Sequence, residues 1–349
     1  MYLHALATAL PAARYTQAES WSLLAASEAH ARLSRRSRLT LQAVLRGESG
    51  VETRHFAFTP LERLFTAEAS ELNESFRKEA PLLAGRALGA ALARAGLSAG
   101  ELDALVVCTC TGYLCPGVTS YVAEQLGLRA DAYLQDLVGL GCGAAIPALR
   151  SVEALLAARP ASTVACIAVE ICSAAFHLDD DPGVLVSACL FGDGAAATLW
   201  RATPPPAPRP ALRISGFNTL HLPAARDHIR FENRDGRLRN LLTPAVPALA
   251  AEAVGRLFAA EPADQPRPGR VLSHPGGRDV LDALEPVLPG YSLEASRRVL
   301  REHGNLSSPS VLFALEHALR DDAPRPDAPW WLVGFGAGFA AHSCRLAAG

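Results

Sequence analysis

Short apolar runs of strand type alternate with Ala- and Leu-rich stretches of helical period through most of this 349-residue chain. That alternation restricts the fold more than any other feature. An apolar strand without polar alternation must be covered on both faces, and the helical stretches between the runs are what can cover it. Residues 104–107 and 163–169 read as buried strands, whereas 84–95 and 151–158 read as helices. Residues 1–10 lack the basic segment of a secretory leader and read as a first strand entering a Pro-containing turn. The expected class is α/β.

The two parts of the chain echo each other. Each carries a strand, a chemistry-bearing residue and a Gly-rich segment, Gly192-Asp193-Gly194 in the first and Gly334-Phe335-Gly336-Ala337-Gly338 in the second. Between them, residues 203–210 hold proline at a density that neither helix nor sheet can continue, so an exposed connector is expected there. The pattern predicts two similar halves, 1–205 and 206–349, with a site between them.

Charge and composition narrow the function. A formal charge of −2 gives no electrostatic case for nucleic acid or an anionic membrane. No apolar run approaches the roughly 20 residues of a membrane span, so a cytosolic protein is expected. Lys78 is the single lysine among 33 basic residues, a bias of GC-rich, bacterial-type coding sequence. Eight cysteines in such a chain do not suggest a disulfide framework. Cys108, Cys110 and Cys115 crowd one strand end, but no second ligand pair with zinc spacing follows, and no metal is expected. Cys166 and Cys189 sit among apolar neighbours and are expected in the core.

Cys142 is different. It stands in Gly139-Leu140-Gly141-Cys142-Gly143, a small-residue turn running into an amphipathic stretch. A sulfur at a helix start meets exposed N–H groups and the positive end of the helix dipole, which favour the thiolate, the nucleophilic form. The competing reading is a small buried hydrophobe. His274 follows a strand-like run and precedes Pro275-Gly276-Gly277, a backbone that permits close approach by a ligand. His303 is its rival, with Arg301 and Glu302 beside it suggesting a solvated surface. Asn305 either supplies a carboxamide to a Cys-His-Asn set or caps a helix over 311–319, a role open also to Ser307 and Ser308.

Cys142, His274, Asn305, the 190–197 run and the 334–338 loop stand in the order and approximate spacing of the type III polyketide synthases. The chain resembles that family, which includes chalcone and stilbene synthases, through most of its length. The resemblance implies the thiolase fold, a five-layered αβαβα body of two similar halves that usually works as a homodimer. It implies CoA thioesters as substrates and no metal, flavin or nicotinamide cofactor. Cys142 matches the acyl-carrying nucleophile. His274 matches the partner that keeps it ionised, and Asn305 the residue that helps His274 steady the enolate of decarboxylated malonyl-CoA.

Further residues follow from the same resemblance. Phe191 matches a gate between the CoA tunnel and the reaction chamber. The second gate phenylalanine has no equivalent, and Arg239 or a close neighbour falls there, which would make the tunnel cationic. The family's loop proline after Gly336 is Ala337. Pocket positions matching Cys110, Cys172, Ala175 and Ser307 are small, which predicts room for a bulky or long acyl starter, although Ile171 and Phe176 stand near enough to fill it. Arg35, Arg36, Arg38 and Arg46 lie in the region that meets CoA phosphates. The expected reaction loads an acyl-CoA on Cys142, extends it with malonyl-CoA by decarboxylative Claisen condensation, and cyclises the product to a pyrone, resorcinol or phloroglucinol. The alternatives are a single-condensation ketoacyl-carrier-protein synthase III and a non-catalytic thiolase-fold subunit.

Overall fold

The computed structural model describes residues 1–47, 49–207 and 211–349. Its strands are β1 (Tyr2–Ala9), β2 (Arg14–Thr16), β3 (Thr53–His55), β4 (Ala104–Thr109), β5 (Tyr133–Val138), β6 (Val164–Glu170), β7 (Gly194–Arg201), β8 (Leu212–His221), β9 (Ile229–Arg234), β10 (Arg237–Leu242), β11 (Arg270–Ser273), β12 (Trp330–Gly336) and β13 (Ala340–Ala348). Nine of them form one mixed sheet in the order β11-β12-β13-β8-β1-β7-β6-β4-β5. Its seam is thin, because β1 and β8 pair only through Tyr2 with Arg213 and Leu3 with Leu212.

The same path is traced on both sides of that seam. In the first half β4 and β6 are parallel, β7 returns antiparallel to β6, and β1 lies antiparallel beyond β7. In the second, β11 and β12 are parallel, β13 returns antiparallel, and β8 lies antiparallel beyond β13. β5 adds a parallel edge strand to the first half only. The echo in the sequence is therefore one of topology.

Strand side chains alternate between faces, so each half of the sheet has two surfaces to cover. Val106, Cys166 and Ala196 from one half and Leu272, Leu332 and Cys344 from the other share a core with helices Ala145–Ala158 and Ser310–Asp321. These two helices are the central layer. The opposite face of the first half, with Leu105, Val107 and Ile167, packs on helix Ala69–Ala95. The opposite face of the second, with Val271, Trp331 and Val333, packs on helices Val246–Ala259 and Arg278–Leu284. The result is the αβαβα order. Ile146, Leu149, Val152 and Leu156 are buried on the first central helix, and each contributes roughly 1.5–3 kcal/mol of transfer free energy.

Two expectations change in detail. The helix expected over 84–95 begins at Ala69, because its first turns carry Glu71, Glu74, Arg77 and Lys78 and hide the apolar period. Residues 203–207 of the expected connector have neither helix nor strand and are mostly exposed, and 208–210 lie outside the described residues. No helix among the described residues is long and apolar enough to cross a membrane.

Candidate active site

Cys142 sits in a single tight turn, Gly141–Gly143, that enters helix Ala145–Ala158. Two glycines fix that turn. Gly141 has φ +62°, and a Cβ on Gly336 would stand 2.7 Å from the Cys142 nitrogen and 2.9 Å from that of Gly143. A Cβ on Gly141 would in turn meet the Ala337 nitrogen at 2.7 Å. Gly336 and Ala337 thus press the second half's loop onto the backbone of the Cys142 turn and line neither cavity described below.

His274 extends the β11–β12 ladder by one bond, its N–H donating to Val333 O at 2.8 Å, and its ring meets Phe335 edge-on with centroids 5.2 Å apart. Gly276 N–H donates back to His274 O at 3.1 Å, which turns the chain immediately after the imidazole. Asn305 follows helix Glu294–His303, and Gly304, at φ +72°, stops that helix. The Asn305 carboxamide caps no helix: the next helix is Ser310–Asp321, preceded by Pro309 without a side-chain cap. Its Nδ2 instead donates to Gly276 O at 3.1 Å, and its Oδ1 accepts from Ser307 N–H at 2.8 Å. The capping reading of Asn305 fails for that reason.

Three remote segments therefore meet. Cys142, His274 and Asn305 line one cavity of about 570 Å³, together with Phe191 and Phe335. All three are nearly closed to solvent, at 7 %, 2 % and 2 % exposure. Burial sets their protonation. It pushes the Cys142 thiol up to about 12 and the His274 imidazole down to about 3, and no hydrogen bond joins them among the described residues. Desolvation of the buried thiol therefore opposes the thiolate that the helix start favours.

Behind the thiol lies a polar network that the sequence reading missed. Ser307 Oγ lies 3.3 Å from Cys142 Sγ, 3.1 Å from Cys110 Sγ and 3.3 Å from Glu170 Oε1, with one proton to share among them. Glu170, fully buried at the end of β6, gathers Ser307, Ser308, Thr109, Thr111 and the Cys110 N–H on its two oxygens. A buried carboxylate is tolerable only with donors of this number. The available signal was a glutamate closing an otherwise apolar strand.

Phe191 lines the main cavity and a second, smaller one of about 30 Å³, and so stands between them. Cys172 and Ala175 line the small cavity, where Phe176 also projects, while Ile171 is packed in the core. The space that these small residues line is slight, Cys110 and Ser307 line neither cavity, and the larger space lies on the Cys142 side of Phe191.

Arg239 does not supply the expected cationic tunnel. Arg239 Nε donates to Asp179 at 2.5 Å, Asp181 stands 3.7 Å from its Nη2, and it lines neither cavity. Its neighbour Asn240 lines the small cavity, and Leu242 the large one. Arg35, Arg36 and Arg46 are exposed and Arg38 half-buried on helix Arg35–Arg46, which lends Ala43 and Val44, but none of these arginines, to the main cavity. Among the described residues Arg278 is the arginine that lines it, and the sequence did not single it out. His303, expected on a solvated surface, is largely enclosed beside Phe313 and His317. Cys166 and Cys189 are in the core.

A family profile described as FAE1/Type III polyketide synthase-like protein matches residues 30–213, and one for the C-terminal domain of chalcone and stilbene synthases matches 269–341. The 1,3,6,8-tetrahydroxynaphthalene synthase of Streptomyces peucetius subsp. caesius is 32% identical over 351 residues, 98% of this chain and 92% of that protein. The 3,5-dihydroxyphenylacetyl-CoA synthase of Streptomyces toyocaensis is 32% identical over 292 residues, 80% of this chain and 75% of that protein. The crystal structure of 1,3,6,8-tetrahydroxynaphthalene synthase from Streptomyces coelicolor A3(2) superposes with a TM-score of 0.87 at 25% identity, covering 100% of this chain and 99% of that one. These relatives favour repeated condensation over the single-condensation alternative. With its αβαβα layers and its two profile matches, the chain belongs to the type III polyketide synthase family.

Proposed function

We propose that the main cavity binds an acyl-CoA and then malonyl-CoA, with Cys142 as acyl carrier, His274 as proton shuttle and enolate partner, and Asn305 as the second enolate partner. The observation that carries this reading is the convergence of the three residues, from three separate segments, on one cavity. As Cys142 Sγ attacks the starter thioester, its proton passes to His274 and on to the departing CoA thiolate. Malonyl-CoA then loses carbon dioxide, and the enolate oxygen is met by His274 and Asn305. One well-placed donor of this kind commonly lowers a barrier by about 3–4 kcal/mol. The enolate carbon attacks the Cys142 thioester, Cys142 leaves, and a β-ketoacyl-CoA two carbons longer is formed. Decarboxylation supplies the carbanion, so the condensation draws on no redox cofactor.

The two relatives' names both denote aromatic products with hydroxyl groups on a ring, which supports a 1,3-dihydroxyaryl product here. A homodimer is part of the same reading. β5 is an edge strand, and Tyr133, Leu134 and Val138 on it are 50 %, 37 % and 48 % exposed. An apolar edge of this kind is what a second copy would cover.

The test is incubation with malonyl-CoA and acyl-CoAs of graded length, with mass spectrometry of intact protein and of products. An acyl mass on Cys142 and products with several added ketide units are expected. Loading without extension would favour a carrier-protein-dependent synthase, and no loading a non-catalytic subunit.

A further inference from the structure

Close to Asn305 in the chain begins a second group of donors that the condensation does not use. Glu302 and His303 end helix Glu294–His303, and His317 lies on helix Ser310–Asp321. Each offers one ligand atom, and those atoms lie within 4.8 Å of one another. The two imidazoles have ring centroids 5.9 Å apart with their planes tilted by 58°, and the His55 ring from β3 stands 5.8 Å from that of His303.

The hydrogen bonds around the group are incomplete. His303 Nδ1 and His317 Nδ1 are both buried without a partner. His317 is 7 % exposed, so no bulk water serves it. Buried polar atoms without partners are uncommon in folded proteins and call for an explanation. Glu302 Oε1 accepts from Arg298 Nε at 3.0 Å, while Oε2 lies 3.9 Å from His303 Nε2. His55 is committed differently, with its Nδ1 2.8 Å from Pro11 O.

We propose that His303, His317 and Glu302 form a binding site for one divalent transition-metal ion of the zinc class, completed by water. Two imidazoles and one carboxylate are a donor set that suits zinc or cobalt, and a hard ion such as magnesium would prefer oxygen alone. Zinc–nitrogen bonds of about 2.0–2.1 Å place tetrahedral ligands about 3.4 Å apart, a closure that side-chain rotation can supply.

The site's position suggests its role. His303 is two residues from Asn305, Thr53 Oγ1 donates to Glu302 O at 2.5 Å, and Gly192 N–H donates to Asn305 O at 3.1 Å. An ion there would pin the end of one helix to the next and stiffen the segment that presents Asn305. It takes no part in the bond-making step.

The experiment uses the full chain, stripped with a chelator and titrated with Co²⁺, whose visible spectrum reports its ligands. One equivalent per chain, a d–d band of nitrogen and oxygen ligation, displacement by Zn²⁺ and a raised melting temperature are expected. His317→Gln and Glu302→Gln should each weaken Co²⁺ binding about 100-fold or more, with circular dichroism showing both variants folded. Cys110→Ser and Cys115→Ser should leave it unchanged. Stoichiometry below one, an intense thiolate charge-transfer band, or equal binding by the His317 and Glu302 variants would overturn the site. If His317→Gln did not fold, Glu302→Gln, altering a half-exposed surface residue, would decide alone. Loading of Cys142 by acyl-CoA is measured separately, so failure here leaves the synthase reading standing.

Discussion

At the scale of single residues, Asn305 shows how a catalytic assignment and a structural one overlap. Its carboxamide bonds to Gly276 O and Ser307 N–H, the two loops that carry His274 and support Cys142. Asn305→Ala should still accept an acyl group on Cys142 yet release carbon dioxide from malonyl-CoA at least about 100-fold more slowly, as losing one oxyanion donor implies. It should also lose about 1–3 kcal/mol in denaturant unfolding, because buried partners are left unpaired. Product formation at the wild-type rate would remove Asn305 from the chemistry. Asp193 makes a prediction about pH. Burial raises its carboxyl from 3.8 to about 6, although Ala57 N–H and Ser173 N–H and Oγ donate to it. A carboxyl raised on folding adds stability that is full below its unfolded value and is lost as pH rises through the folded one. The protein should therefore lose up to about 3 kcal/mol from this group between pH 4 and pH 6. Asp193→Asn should be less stable at pH 4, since its amide nitrogen must face donors, but should show a flatter profile across that window in paired unfolding curves.

At the scale of elements, the Cys142 turn is held by glycine on both sides of a contact between halves. Gly336→Ala would drive a methyl into the backbone nitrogens of Cys142 and Gly143, and neither is the end of a flexible side chain. The turn must move, and a misplacement near 1 Å commonly costs about 100-fold in rate. Acyl loading should fall by that order while circular dichroism stays unchanged, and a variant that loads normally would show the turn to be more pliant than its contacts suggest. The buried strands β4, β6 and β11 and the central helices were legible in the sequence, because local period encodes them, and motif spacing singled out Cys142, His274 and Asn305, which the fold brings to one cavity. What local pattern cannot encode is which remote groups meet. Glu170 looked like the polar end of a strand, yet it gathers donors from Thr109 to Ser308. Arg239 looked like a tunnel cation until Asp179, sixty residues away, proved to hold it. His303 looked solvated beside Arg301 and Glu302, because its enclosing partners His55 and His317 come from other elements. The helix start at Cys142 was correctly located, but the cost of burying a charge there depends on packing that only the fold determines.

At the scale of the whole molecule, the sheet ends on one side in β5, whose outer edge carries Tyr133, Leu134 and Val138 to solvent. Tyr113, on the loop after β4, adds a further apolar surface at 74 % exposure. A monomer would protect such an edge with charge, proline or a bulge, and none of the residues of β5 but Asp136 is charged. Asp136 itself is turned inward, its Oδ1 accepting from Thr119 N–H at 3.2 Å. The edge is therefore open to pairing with a second copy, which the proposed homodimer requires. That edge also leads through Gly139 and Leu140 into Gly141 and Cys142, so covering it would brace the Cys142 turn from outside. Val138→Glu combined with Leu134→Glu should shift size-exclusion and light-scattering mass from two chains to one. Because β5 continues into the turn, acyl loading should fall along with dimerisation, and it should recover at protein concentrations high enough to restore the dimer. A monomeric double variant with full loading would leave the dimer standing but uncouple it from the site. A wild-type chain of monomeric mass would instead require another cover for the β5 edge.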